Sequence, residues 1–356
     1  MEVFSLSRPL KVIDADVHNE QDDAALVPYL PEPWRSRVAK SGVGYAGSGY
    51  YSPVGVMKKD AIPPGGGKAG SDPDLMVQQL VERYDVEYAV LTGVVYNISA
   101  THDPDFAAAI CSAYNDFLMN EWLGRHPAFK GALAVSTLDP ALAAREIDRV
   151  GSHPDIVEVI ISSAARMPLG HRFYHPIYEA AARNGLPIAV HPGAEGAGSS
   201  TAPTSVGYPA RYIEWHTNLS QTFMAHLVSI VTEGVFVKYP ELKLVLVEGG
   251  VSWLPPLMWR LDKNYKALRS TVPWLTKLPS QYIREHCFLT TQPIEEPENP
   301  QHLIDLFNMF DAENMLLYSS DYPHWDFDDP GMILRKLSPE AKQKIFYDNA
   351  KKLYKL

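Results

Sequence analysis

Eight short apolar segments, alternating with amphipathic ones, set the strongest limit on how this chain can fold. They predict strands at 12–16, 87–92, 130–135, 156–161, 187–191, 243–248, 287–291 and 315–320. The amphipathic segments between them predict helices, and alternating strands and helices are typical of a parallel sheet. Eight such units predict an α/β fold, the (β/α)8 TIM barrel. A doubly wound open sheet is the alternative, which the absence of a glycine-rich phosphate loop after the first strand disfavours.

Two insertions interrupt the alternation. Residues 21–70 contain "GVGYAGSGYY" and "IPPGGGKAG", and residues 193–207 read "GAEGAGSSTAPTSVG" without a helical period. Such glycine- and proline-rich text predicts loops. They follow the first and fifth strands, so they belong to the C-terminal face of the barrel, where substrate-selecting lids are found. Residues 1–356 are therefore predicted to form a single barrel domain with two loop insertions.

Composition excludes several classes of partner. A net charge of −10 leaves no basic surplus for the phosphates of nucleic acids or anionic membranes. The only cysteines, Cys111 and Cys287, lie in apolar runs, which predicts buried free thiols in a reducing compartment. The start "MEVFSLSRPLKV" lacks the basic and apolar regions of a signal peptide, and no apolar run is long enough to span a bilayer. We expect a cytoplasmic protein.

Polar side chains stand where several of the strands end. The first strand leads into Asp16 and His18, the fifth ends at His191, and the sixth ends at Glu248. Asp321 and His324 follow the eighth strand in "SSDYPHWD". Because barrel strands all point their C-terminal ends at one rim, we expect these groups to meet there.

The mixture of imidazoles and carboxylates predicts a divalent metal site for Zn, Mn or Fe, since Mg and Ca prefer oxygen ligands alone. Asp16, His18, His191 and Asp321 are the expected ligands, with Glu248 as a further candidate. Asp14, one pleat deeper in the first strand, is expected to be a supporting hydrogen-bonded carboxylate.

Asp321, Glu248 and His324 are also candidate catalytic residues. Each has an ordinary structural alternative: Asp321 as the cap of a turn, Glu248 as a hydrogen-bonded buried carboxylate, and His324 as a ring packed on Trp325. Arg166, after the fourth strand, is predicted either to contact a substrate carboxylate together with His324 or to be a solvated loop charge.

Four motifs carry a family resemblance: "DADVH", "GLPIAVHPG", "VFVKYPELKLVLVEGG" and "SSDYPHWD". In this order they resemble the amidohydrolase superfamily, and more narrowly its amidohydrolase 2 branch, the aminocarboxymuconate-semialdehyde decarboxylase-like metal-dependent enzymes. The resemblance implies a barrel with a divalent metal at the strand ends and a homo-oligomer. It places Asp16 and His18 at the first-strand ligand pair, His191 at the fifth-strand ligand, and Asp321 at the final-strand aspartate that binds metal or handles protons.

The sequence departs from the resembled decarboxylases at one position. Where they carry a catalytic histidine before the "GG" of the sixth strand, this chain has Glu248, which would repel a substrate carboxylate. Glu248 also offers another oxygen ligand, and with His216 and His226 it could hold a second metal, although histidines of this kind on a helix are more often ordinary half-buried residues.

Three functions remain open on the sequence alone. The first is a metal-dependent hydrolase or decarboxylase of a small organic substrate, aromatic or carboxylated. The second is a dinuclear Fe or Fe/Mn oxygenase on the same fold. The third is an inactive subunit that pairs with an active homologue.

Overall fold

A computed structural model describes residues 11–47 and 49–356 and contains eight parallel strands paired in chain order. The strands are β1 (Val12–Val17), β2 (Val86–Leu91), β3 (Phe129–Ala134), β4 (Ile156–Ser162), β5 (Ile188–His191), β6 (Leu244–Leu246), β7 (Cys287–Thr290) and β8 (Leu316–Leu317). Between β1 and the end of β8, the Ala15 N–H donates to the Tyr318 carbonyl at 2.9 Å and the His18 N–H to the Tyr322 carbonyl at 2.7 Å. The predicted (β/α)8 barrel is thereby confirmed.

Helices connect the strands and cover the outside of the barrel. The α-helices are α1 (Asp23–Leu26), α2 (Trp34–Ser41), α3 (Pro73–Met76), α4 (Pro104–Phe117), α5 (Pro140–Val150), α6 (His175–Asn184), α7 (Tyr212–Thr217), α8 (Leu219–Thr232), α9 (Val235–Lys238), α10 (Leu254–Leu268), α11 (Pro279–His286), α12 (Gln301–Phe310), α13 (Ala312–Met315), α14 (Pro339–Gln343) and α15 (Asn349–Tyr354). Three of these helices continue into wider π-type turns, at Val77–Glu82, Leu118–Leu123 and Lys344–Asp348. Short 3-10 turns lie at Val27–Tyr29, Lys59–Ala61, Val95–Ala100, Arg172–Tyr174 and Arg269–Thr271.

Four of the helices begin at the same two-residue signal, a small polar residue followed by proline. The side chains of Asp72, Asp103, Asp139 and Ser338 each accept a hydrogen bond from a backbone N–H of the first turn. The proline that follows has no N–H to satisfy and already holds a helical φ angle. The predicted start of α3 at Asp72 is confirmed.

The last strand is shorter than the sequence predicts. A strand over 315–320 was expected, but only Leu316–Leu317 pair with β7. Beyond them, side chains accept some of the hydrogen bonds that a neighbouring strand's backbone would otherwise accept. The Ser319 N–H donates to Thr291 Oγ1 at 3.1 Å and the Ser320 N–H to Asp14 Oδ1 at 2.9 Å. The carboxylate of Asp14 thus fastens the segment that leads to Asp321 onto β1, which is the supporting role expected of it.

Two other boundaries differ from expectation. The sixth strand was expected to reach 248 but ends at Leu246, because the chain turns away at Glu248, whose φ angle is +55°. The helix expected over 212–233 is divided into α7 and α8 at Asn218, where the backbone leaves the helical region.

Some sequence predictions concern residues outside the described part of the chain. The absence of a signal peptide was predicted mainly from residues 1–10, and residue 48 lies in the first predicted insertion. Cys111 and Cys287 are buried and form no disulfide, as expected. Within 11–47 and 49–356, no helix combines the length and the apolar character needed to cross a bilayer.

A second buried acid lies inside the barrel on β4. Glu158 is fully buried, and one of its oxygens accepts a hydrogen bond from the Tyr354 hydroxyl of α15 at 2.9 Å. Burial raises the pKa of Glu158 to about 8. The folded protein therefore keeps this proton over a pH range in which the unfolded chain has lost it.

We expect Glu158→Gln to change how stability depends on pH. Between the ordinary glutamate pKa and about 8, the unfolded state binds fewer protons, so wild-type stability should fall as pH rises. A difference of one pKa unit between the folded and the unfolded state corresponds to about 1.4 kcal/mol in the free energy of unfolding. Relative to wild type, Glu158→Gln should gain free energy of unfolding from pH 5 to pH 8, as measured by urea titration. The exposed Glu179→Gln is the control, and a pH-independent difference for Glu158→Gln would contradict the assignment.

Candidate metal centre

Six of the sequence-predicted side chains meet at the C-terminal rim of the barrel. They form two overlapping groups that share His18 and Glu248, and in each group the possible ligand atoms lie within 4.8 Å of one another. One group is Asp16, His18, His191 and Glu248, and the other is His18, Glu248, Asp321 and His324. The polar side chains at the C-terminal ends of β1, β5, β6 and β8 therefore lie close together at the rim.

Both central histidines have one ring nitrogen engaged and the other directed into the site. His18 Nδ1 lies 2.7 Å from the Gly93 carbonyl, and His191 Nδ1 lies 2.7 Å from the Pro192 carbonyl and 2.7 Å from the Tyr96 hydroxyl. A carbonyl only accepts hydrogen bonds, so in each ring Nδ1 carries the proton. In the neutral rings, Nε2 then presents a lone pair, as metal-binding histidines do.

The carboxylates are held in a similar way. Thr92 Oγ1 donates to Asp16 Oδ1 at 2.7 Å, which leaves Oδ2 facing His191 Nε2 at 3.4 Å. Glu248 Oε1 lies 3.1 Å from His191 Nε2 and 3.5 Å from His18 Nε2. These contacts place carboxylate oxygens next to imidazole nitrogens in a nearly solvent-free space.

Four of these buried atoms have no hydrogen-bond partner among the described residues. They are Asp16 Oδ2, His18 Nε2, His191 Nε2 and Glu248 Oε1. Buried polar atoms are nearly always paired, because burying one without a partner costs free energy. A divalent cation bound by all four would satisfy them at once, and two nitrogen and two oxygen donors suit Zn, Mn or Fe. The residues present therefore fit the predicted metal.

The electrostatics of the group also favour a cation. Burial lowers the pKa of His191, but the carboxylates of Glu248 and Asp16 outweigh it and raise that pKa to about 10. Burial acts the same way on His18, whose pKa is raised well above its ordinary value by Asp16 and its acidic neighbours. Nearby positive charge therefore stabilises the carboxylates, and either protonated imidazoles or a metal ion can supply it.

Glu248 and Asp321 share an uncommon backbone conformation. Their φ angles are +55° and +59°, in the left-handed region that residues other than glycine seldom adopt. The Glu248 N–H donates to Thr290 Oγ1 at 3.0 Å, so its neighbour β7 supports the turn. Strained backbone of this kind persists where the surrounding structure over-determines it and is concentrated at functional sites. Here it turns both carboxylates towards His18.

Asp321 connects the centre to His324. Its Oδ1 lies 3.0 Å from His18 Nε2 and is hydrogen-bonded to His324 Nδ1, and its Oδ2 accepts from Gln292 Nε2 at 3.1 Å. Burial and the nearby Glu248 carboxylate raise the pKa of Asp321 well above its ordinary value. Burial, with His18 nearby, lowers the pKa of His324 to about 4. The pair thus places a carboxyl group with a raised pKa beside an imidazole with a lowered pKa.

A cavity of about 270 Å³ opens beside this centre. Its lining includes His191, Glu248, Asp321 and His324 on the polar side. Five aromatic side chains also line the cavity: Tyr50, Tyr96, Tyr212, Trp215 and Trp325. Both predicted insertions contribute, the first through Tyr50, Val56 and Met57 and the second through Gly193, so they reach the site as expected.

Three sequence candidates lie elsewhere or have another role. Arg166 is exposed in the turn after β4 and does not line the cavity, so its contact with a substrate carboxylate stays a prediction from sequence alone. His226 is buried with both nitrogens used: Nδ1 accepts from the Leu169 N–H at 3.1 Å and Nε2 donates to the Ser163 carbonyl at 2.8 Å. It therefore cannot hold a second metal. His216 lines the cavity, with Nε2 3.7 Å from Asp326 Oδ2.

Several supporting residues were not singled out from the sequence. Thr92 and Gly93 directly follow β2, Tyr96 lies three residues further, and Gln292 follows β7. They orient Asp16, His18, His191 and Asp321 respectively. The candidate ligands lie at the ends of strands. The supporting residues lie at the ends of the second and seventh strands, so the same criterion points to them.

Known proteins resemble this chain over most of its length. A family model described as Amidohydrolase matches residues 13–356. Gamma-resorcylate decarboxylase from Polaromonas sp. strain JS666 is 26% identical over 295 residues, which cover 78% of this chain and 86% of the relative.

Solved structures share the fold. Dihydroxybenzoic acid decarboxylase from Polaromonas sp. JS666, with bound manganese and the inhibitor 2-nitroresorcinol, superposes with a TM-score of 0.69 at 21% identity over 97% of both chains. A variant of 5-carboxyvanillate decarboxylase from Novosphingobium aromaticivorans, also with manganese, gives 0.70 at 20% identity over 99% of both chains. Manganese is thus bound by two proteins of this fold.

We expect metal binding at these residues to stabilise the fold. Manganese at 100 times its dissociation constant should add about 2.7 kcal/mol to the free energy of unfolding, through binding to the folded state alone. Thermal unfolding followed by circular dichroism, with manganese and after chelation by EDTA, measures the shift. The double variant His18→Ala/His191→Ala is the control and should melt at one temperature in both conditions. A wild-type melting temperature that does not respond to manganese would contradict the site.

Proposed function

Because the chain belongs to the amidohydrolase family, we propose that it is a metal-dependent decarboxylase of hydroxylated aromatic carboxylic acids. The observation that carries the proposal is the convergence of four buried, unpartnered ligand atoms beside a cavity with aromatic walls. The related gamma-resorcylate decarboxylase supports decarboxylation over hydrolysis as the reaction. The identity of the ring substituents is part of the proposal.

The metal ligands in this proposal are Asp16, His18, His191 and Glu248, with Asp321 at the edge of the group. A divalent cation held by these residues would supply the Lewis acidity for decarboxylation of the substrate. Glu248 lies closest to His191, at 3.1 Å, which suits a ligand better than a free carboxylate facing the substrate. A ligand role also removes the repulsion that Glu248 would otherwise exert on a substrate carboxylate.

The cavity would position the substrate. Tyr96 and Trp215 offer apolar ring faces to the cavity, and about 270 Å³ accommodates a single substituted aromatic ring. The Tyr96 hydroxyl is also hydrogen-bonded to His191, so this residue contacts both the cavity and the metal centre. The loops that close the cavity limit the access of water to the reacting carbon.

Asp321 and His324 would deliver the proton. Loss of carbon dioxide leaves the electron pair of the broken carbon–carbon bond on the ring carbon, where a proton must then bind. Asp321 is the candidate donor because burial and Glu248 raise its pKa, and Gln292 fixes its orientation. His324, hydrogen-bonded to the same carboxyl group, would return a proton to Asp321 from solvent after each turnover.

We expect Asp321→Asn to lower decarboxylation at least 100-fold, since general acids typically contribute about 10² to 10⁴ in rate. The assay uses manganese-loaded protein with 2,4-dihydroxybenzoate, 2,6-dihydroxybenzoate and 5-carboxyvanillate, and follows ring absorbance and released carbon dioxide. Asp326→Asn is the matched control, because Asp326 also lines the cavity but belongs to neither ligand group. Absence of turnover by the wild-type protein with manganese, zinc and iron would remove decarboxylation as the function.

A dinuclear oxygenase is the second candidate, and one observation favours it. His18, Glu248, Asp321 and His324 form a second group of possible ligands that shares two members with the first. Glu248 Oε1 lies within 3.5 Å of both His18 and His191, so it stands between the two groups.

The number of metal ions per chain separates the two candidates. As a decarboxylase, the wild-type protein should bind one ion per chain, and Glu248→His should keep that ion and retain turnover within about tenfold. Histidine is the residue of the resembled decarboxylases at this position and is among the residues found more often at positive φ. Metal analysis by mass spectrometry and oxygen uptake provide the measurements. Two ions per wild-type chain with oxygen-dependent turnover would establish the oxygenase instead.

A further inference from the structure

A second cleft adjoins the substrate cavity at the mouth of the barrel. Its volume is about 580 Å³, roughly twice that of the inner cavity. It is lined by residues 51–54 of the first insertion, residues 210–213 with 216 and 217 around α7, and Trp325. Tyr212, His216 and Trp325 line both spaces, so the cleft and the cavity are neighbours across three shared side chains.

The cleft concentrates exposed apolar side chains. Tyr51 is 82% exposed, Val54 63%, Ile213 72% and Trp325 44%. Single exposed apolar residues are ordinary on a protein surface, but several that face one cleft mark a binding surface. These four come from three separate parts of the chain, which the fold brings to the same place beside the candidate centre.

The two spaces differ in chemical character. The inner cavity carries the carboxylates and imidazoles of the metal centre, together with Asp326. Among the residues lining the cleft, Arg211 is the one lysine or arginine and none is acidic. A ligand that fits both spaces is therefore polar and metal-binding at one end and apolar at the other.

We propose that the cleft binds an apolar side chain of the substrate, so that the natural substrates are hydroxylated aromatic carboxylates with an alkyl or similar hydrocarbon substituent. The proposal rests on the decarboxylase function and specifies its substrate class. The ring occupies the inner cavity, and the substituent passes Tyr212 and Trp325 into the cleft. A second copy of this chain is the rival occupant, but the shared walls connect the cleft to the site itself.

The experiment compares two ligands that do not react. 2-Nitroresorcinol, the inhibitor in the Polaromonas structure, is titrated into manganese-loaded protein by calorimetry, and 4-hexyl-2-nitroresorcinol is titrated in parallel. The hexyl compound should bind at least tenfold more tightly, because its methylene groups leave water for the cleft. Ile213→Asp should abolish this advantage and leave the affinity for 2-nitroresorcinol within twofold of wild type.

Ile213 is a suitable test position because its side chain is 72% exposed, so an aspartate there need not disturb the fold. Leu268→Asp is the matched control: Leu268 is 55% exposed and lines neither space. It should leave the tenfold preference intact.

Other results would overturn the proposal. Equal affinity of the two ligands for the wild-type protein would refute the apolar subsite and leave the decarboxylase function standing. Binding of neither ligand would count against the proposed function, and the subsite would fall with it. If light scattering shows a dimer that Ile213→Asp dissociates while the hexyl preference persists, the cleft is a subunit interface instead.

Discussion

The seam at which the barrel closes is the contact on which the site depends. Asp16 and His18 belong to β1, whereas Asp321 and His324 follow β8, some 300 positions later in the chain. Backbone hydrogen bonds join these two segments, from His18 N–H to Tyr322 and from Asp321 N–H to the Asp16 carbonyl at 3.2 Å. Asp14 adds a side-chain bond across the same seam. The residues that close the sheet also bring the candidate metal ligands together, so the fold and the candidate site depend on the same contacts.

Burying charged side chains at this rim of the barrel costs electrostatic free energy. Asp16 and His18 are entirely buried, and His191 and Asp321 nearly so, although buried charges are costly unless they are paired. The free energy for holding them comes from elsewhere, namely the apolar strands whose side chains fill the barrel and the helices packed around it. Hydrogen bonds from Thr92 and Gln292 then restrict the carboxylates to one orientation. A bound cation would convert this repulsive arrangement into a satisfied one.

Much of the fold could be predicted from the sequence because apolar strand segments and the Asp-Pro helix starts are local signals. Asp16, His18 and His191 follow such segments directly, so their meeting at the rim follows from the parallel barrel. The ends of β6 and β8 could not be predicted, since positive φ angles at Glu248 and Asp321 depend on Thr290 and on the seam. His226 had two possible roles on the sequence, and its contacts separate them: the ring satisfies backbone groups and does not face the metal centre. Only tertiary contacts distinguish these cases.

Glu248 stands where the family resemblance implies a catalytic histidine. A histidine there could act as an acid. The Glu248 carboxylate instead lies 3.5 Å from His18 Nε2 and 3.1 Å from His191 Nε2, and these imidazoles keep its pKa well below the ordinary value despite burial. In the proposed decarboxylation, the proton would then have to come from another group close to the reacting carbon. Asp321 meets this requirement because Glu248 itself contributes to raising the Asp321 pKa. In this proposal, Glu248 takes the place of the acid of the resembled decarboxylases and also raises the pKa of the group that takes over its role.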